Sequence, residues 1–70
     1  MKTRIAQLRK ERKLTQEELA KAVGVSRQTI ISIENEKYAA SLVLAYKIAH
    51  YFGKTIEEVF DFGEEEVELP

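Results

Sequence analysis

The run Thr15-Gln16-Glu17-Glu18-Leu19-Ala20-Lys21-Ala22-Val23-Gly24-Val25-Ser26-Arg27-Gln28-Thr29-Ile30 holds two helix starts and one helix stop within sixteen residues. Thr15-Gln-Glu-Glu18 has the form of a capping box. The hydroxyl takes up a free amide of the first turn, and the Glu18 carboxylate reaches back to the amide of the cap. Acids at 17 and 18 also suit the positive end of a helix. Leu19, Ala20 and Val23 give that helix its apolar side. Gly24 suits the left-handed position at its end. Ser26 then caps a second helix. That helix anchors through Ile30 and Ile33 and leaves Arg27, Gln28, Thr29 and Ser32 outward. A short helix, a three-residue turn Gly24-Val25-Ser26 and a helix with a polar first turn make helix-turn-helix geometry. Ala20 is small where the two helices cross. Arg and Gln carry the forked donors and acceptors that match guanine and adenine edges in the major groove.

Outward from this core, the chain divides at further punctuation. Thr3 to Lys13 reads as a preceding helix with Ile5 and Leu8 on one face and basic residues around the rest. Asn35 falls at the end of the helix that Ser26 opens. Ser41 caps a fourth helix, in which Leu42, Ala45, Ile48, Ala49 and Phe52 recur at helical spacing. Thr55-Ile-Glu-Glu58 is a second capping box, opening a short fifth helix with Ile56, Val59 and Phe60 inward. Residues 1–63 thus form one all-α, five-helix domain. Residues 64–70 form an acidic C-terminal tail, either disordered or a short strand with Val67 and Leu69 on one face.

Composition excludes several classes. With 70 residues, no Cys and a single His, the chain has no disulfide and no Cys- or His-based metal site. No apolar run approaches the roughly 18 residues of a membrane span. Met-Lys-Thr-Arg-Ile is not a secretory signal, so a cytoplasmic protein is expected. Gly24, Gly53 and Gly63 form no phosphate loop. Glu64-Glu65-Glu66 reads as a solvated run. His50 shares no pattern with the serines and acids, so no nucleophilic triad is drawn. Neither an enzyme nor a cofactor is expected. Tyr38, Tyr46 and Tyr51 are assigned to packing or an interface, since none lies on the outward turn of the third helix.

The net charge of -1 conceals a segregation. Residues 1–40 carry nine Lys/Arg against five Glu; residues 41–70 carry two Lys against seven acids. A basic half beside an acidic half suits a protein that faces a polyanion on one side only.

These residues together resemble the Xre / Cro–CI family of small helix-turn-helix repressors. The likeness runs through Leu8-Arg9, Leu14 to Ala20, Val25 to Ile30, Ile33-Glu34-Asn35, Lys37-Tyr38, Ser41-Leu42, Ala45, Lys47-Ile48-Ala49 and Ile56 to Phe60. It implies a lambda-repressor-like fold and a prokaryotic regulator that binds double-stranded DNA as a homodimer on a palindromic operator. By position it implies base reading by Arg27, Gln28, Thr29 and Ser32, and phosphate contacts by Gln16, Ser26, Asn35 and Lys37. It also implies an ion pair between Arg9 and Glu34. Members often carry Asn-Gly-Lys where this chain has Asn35-Glu36-Lys37, and Asn-Pro where it has Ala39-Ala40. Glu36 brings a negative charge to the expected phosphate side and lacks the freedom of Gly. A second reading is an antitoxin or adaptor that also binds a protein. The dimer contact is expected in the acidic half, through the fifth helix with Phe60, Phe62, Val67 and Leu69. Val43, Leu44, Tyr46 and Tyr51 exceed what one stripe of the fourth helix needs.

Overall fold

The computed structural model describes residues 1–63. The elements in chain order are β1 (Lys2–Thr3), α1 (Ile5–Glu11), α2 (Gln16–Val23), α3 (Arg27–Glu34), α4 (Leu42–Tyr51), α5 (Ile56–Val59) and β2 (Phe60–Asp61). Four helix starts are made by side-chain caps. Thr15, Ser26, Ser41 and Thr55 each accept from the amide three residues on, in extended backbone. α1 differs. Arg4 offers no side-chain cap, and its amide instead donates to the Val59 carbonyl at 2.7 Å.

The core is a single cluster. Ile5 of α1, Leu19, Ala20 and Val23 of α2, and Ile30 and Ile33 of α3 meet Leu44, Ala45, Ile48, Ala49 and Phe52 of the α4 segment. Val59 and Phe60 close it from the C-terminal side.

Three expectations are corrected. The first helix is shorter than Thr3 to Lys13. Its start is given over to a two-stranded antiparallel ribbon in which Lys2 faces Asp61 and Thr3 faces Phe60. Its end is set by Lys13, which stands at φ 55 in left-handed backbone. The second correction concerns α4. Leu42 is 77% exposed, and Leu44, counted as surplus, is buried. Helical side chains lean toward the N-terminus, so a residue in the first turn leans off the end of the helix instead of onto its neighbour. The third concerns Phe60, expected both in the core and at a dimer contact. Pairing with Thr3 pins it over the core at 3% exposure, so it offers no surface to a second copy. Phe62, one residue past the ribbon, is 43% exposed. Val67 and Leu69 lie outside the described residues.

Both capping boxes are complete. The Thr15 amide donates to Glu18 Oε1 at 2.9 Å and the Thr55 amide to Glu58 Oε1 at 2.8 Å. These amide hydrogen bonds favour the charged carboxylate and hold both acids below the ordinary value of 4.5. A depressed folded pKa gives stability that is complete above the unfolded value and is lost as pH falls through the folded one. Acidification from about pH 6 to about pH 3 is therefore expected to lower the melting temperature. A Glu18→Gln/Glu58→Gln variant should start lower and fall less over the same range. Parallel melting curves for the two proteins would remove the boxes from the acid response.

Candidate nucleic-acid interface

The α2–α3 corner is built by local hydrogen bonds. Gly24 stands at φ 76 as the left-handed end of α2. This lets the Val25 amide turn back and donate to the Ala20 carbonyl at 2.9 Å. Ser26 Oγ accepts from the Thr29 amide at 3.2 Å and pairs with Thr29 Oγ1 at 2.9 Å. Ala20, Ile30 and Ile33 are buried beneath. Arg27 and Gln28 are left exposed, while Thr29 and Ser32 are half-buried on the same side. The Gln28 amide reaches along the helix to Ser32 Oγ at 3.4 Å.

A polar chain ties this face to α1. Arg9 lies almost wholly covered against Glu34, its Nε donating to Oε2 at 2.7 Å and its Nη2 to Oε1 at 3.1 Å. Arg9 Nη1 also donates to the Leu14 carbonyl at 3.0 Å, fastening the α1–α2 turn. Glu34 Oε1 in turn accepts from Gln16 Nε2 at 3.1 Å. That leaves Gln16 Oε1 turned toward Arg27, whose Nη2 lies 3.4 Å away. The first residue of α2 and the first residue of α3 are thus oriented by one largely shielded ion pair.

Gln16 and Arg27 share an open hollow of about 650 Å³ with Lys10, Lys13 and Thr15. Lys10 and Lys13 were not singled out from the sequence. Their signal was present, since basic residues crowd the turn that precedes Gln16, but placing them beside Arg27 needs the α1–α3 packing. Asn35 and Lys37 fall at the other end of α3. Asn35 is its C-cap, and the Lys37 amide donates to the Ser32 carbonyl at 3.0 Å. Glu36 between them adopts φ 63, the left-handed backbone that Gly would take without strain. Tyr38 swings back beside Ser26, Gln28, Thr29 and Ser32.

A helix-turn-helix family model matches residues 5–59, from the first residue of α1 to the last of α5. The chain belongs to the Xre/Cro–CI type of helix-turn-helix proteins. It is a DNA-binding transcriptional regulator with the lambda-repressor-like fold. Among its relatives, a protein of Archaeoglobus fulgidus described as an uncharacterized HTH-type transcriptional regulator is 55% identical over 67 residues. That match covers 96% of this chain and 94% of the relative. The cryptic phage CTXphi transcriptional repressor RstR of Vibrio cholerae is 32% identical over 94% of this chain and 60% of its own. A crystal structure of the restriction-modification controller protein C.AhdI from Aeromonas hydrophila superposes with a TM-score of 0.74 at 32% identity. It covers 81% of this chain and 86% of that one. For this regulator, no metal cluster of three or more His, Cys, Asp and Glu exists among the described residues. No described helix is long and apolar enough to cross a membrane.

Proposed function

We propose that this regulator is a repressor that binds a palindromic operator in the cytoplasm as a homodimer. Each copy lays α3 in the major groove. The observation that carries this reading is the outward first turn of α3, capped by Ser26 and backed by buried Ile30 and Ile33. Arg27, Gln28, Thr29 and Ser32 read base edges. Gln16, Ser26, Asn35 and Lys37 hold phosphates, with Lys10 and Lys13 adding to the grip beside Gln16. The repressor sign is supported by the name of the Vibrio cholerae relative. The second copy joins through the C-terminal side, at Phe62 and the tail residues Val67 and Leu69.

Selection of bound duplexes from a random pool tests the whole reading, since it returns the site and its dyad spacing together. On the selected site, two substitutions should part company. Gln28→Ala is expected to cost about 1–3 kcal/mol and to relax preference at one base pair per half-site. Lys37→Ala should weaken all sequences alike and reduce the salt slope by roughly one per monomer. Titrations at several salt concentrations separate the two. Unchanged base preference in Gln28→Ala would remove that side chain from the readout.

A further inference from the structure

We infer that Tyr38, which lies outside the helix-turn-helix, is a specificity-determining residue that completes a thymine-methyl pocket on the recognition face. The inference rests on the reading of α3 as the base-reading helix.

The loop after α3 is folded back by two amides, Glu36 to the Ile33 carbonyl at 3.1 Å and Lys37 to the Ser32 carbonyl at 3.0 Å. This reversal carries Tyr38 alongside the exposed face of the helix. With Ser26, Gln28, Thr29 and Ser32 it encloses a shallow hollow of about 290 Å³. The polar atoms of the helical wall are turned on one another. Ser26 Oγ meets Thr29 Oγ1 at 2.9 Å, and Gln28 Nε2 meets Ser32 Oγ at 3.4 Å. The lining left to the hollow by these five residues is mostly apolar.

Tyr38 does not belong to the core cluster and is 48% exposed. Among the described residues its side chain makes no hydrogen bond and its ring no stacking or cation contact. One side of the ring borders the hollow between the α2–α3 turn and α4, beside Val25, Val43 and Leu44, while the rest stands exposed at the edge of a surface otherwise set up for hydrogen bonding. The major groove presents one apolar group, the C5-methyl of thymine. An apolar hollow beside Gln28 fits that group and none of the donor or acceptor atoms around it. The pocket also explains why an aromatic ring sits beside an eight-residue recognition helix. It widens readout beyond the side chains that the helix alone can project.

The test uses the full chain and a duplex carrying its selected operator. Each thymine is replaced in turn by uracil, which removes the methyl and keeps every pairing atom. One position per half-site is expected to weaken wild-type binding by about four-fold, the factor for burying one methyl group. Tyr38→Ala should bind thymine and uracil duplexes equally at that position, and Tyr38→Phe should keep the discrimination. Equal uracil sensitivity of wild type and Tyr38→Ala at every position would overturn the pocket. So would a Tyr38→Ala loss that is uniform over all sequences. Gln28→Ala, measured in parallel, keeps the two readings apart. If it alters base preference while Tyr38→Ala does not, α3 reads DNA without Tyr38. If neither alters it, the assignment of α3 itself fails.

Discussion

Arg9→Ala is expected to lower the unfolding free energy by up to about 3 kcal/mol, the low end of what stranding a fully buried charge costs. The geometry argues for a value this large. Only 12% of the Arg9 side chain and 7% of the Glu34 side chain is exposed, so water screens the pair poorly. Glu34 spends both oxygens on Arg9 and Gln16. Removing the guanidinium leaves a carboxylate with one amide donor, and also frees the Leu14 carbonyl. Domains of this size hold only about 5 kcal/mol or little more, so the variant should be largely unfolded at moderate urea. Arg9→Met/Glu34→Leu should lose less than Arg9→Ala alone, because it leaves no orphaned charge. Urea unfolding of wild type, Arg9→Met, Glu34→Leu and the double variant closes the cycle, with Arg9→Ala measured beside them. A coupling energy near zero would show that the pair contributes nothing beyond its separate side chains. A second consequence concerns binding. Glu34 orients Gln16, and Gln16 faces Arg27, so Glu34→Gln should disturb operator affinity more than its cost in stability accounts for.

The parts of this architecture that were legible in the sequence are those set by near neighbours. Thr15, Ser26, Ser41 and Thr55 act over three residues, and all four cap the helices assigned to them. Gly24 was legible for the same reason: a left-handed helix end is a local demand. Contacts between distant segments leave no such mark. Nothing in Lys2-Thr3 announces a partner at Phe60–Asp61. Nor does anything in the sequence set Arg12 apart from the other basic residues of the first segment. Arg12 in fact donates to the Tyr51 and Phe52 carbonyls at 3.2 and 2.8 Å and lies 5.1 Å above the Phe52 ring. It thereby satisfies the C-terminal carbonyls of α4 across the fold. The site divides along the same line. Arg27 to Ser32 follow from the cap and the helical period. Lys10, Lys13 and Tyr38 join them only because α1 and the α3–α4 loop pack where they do.

A chain ended at Asp61 is expected to sediment as a monomer and to bind the selected operator at least about a hundred-fold more weakly than the intact chain. The magnitude follows from linkage of two half-sites. One eight-residue recognition helix reaches few base pairs, and joining two through a dimer adds roughly 10²–10⁴ in avidity without any new contact. The two helices must then sit one turn of DNA apart, about 34 Å. The cut is placed so that the fold survives it. Among the described residues, every buried core residue falls between Ile5 and Phe60, and the Lys2–Asp61 and Thr3–Phe60 pairing is retained. Helix content and melting should therefore match those of the intact chain at low concentration. What the cut removes is exposed Phe62 together with Val67 and Leu69. Loss of Phe62 takes away a ring that is 43% exposed in the monomer, and the cut leaves the basic face with its Lys10, Lys13 and Arg27 untouched. Non-specific DNA binding should accordingly change little, because it depends on phosphate charge. Sedimentation at micromolar concentration and operator titration of both chains decide the matter. If the shortened chain stays dimeric, the contact belongs instead to the exposed α4 face of Leu42, Val43 and Tyr46. An intact chain that is monomeric, and occupies the palindrome one copy at a time, would end the dimer reading altogether.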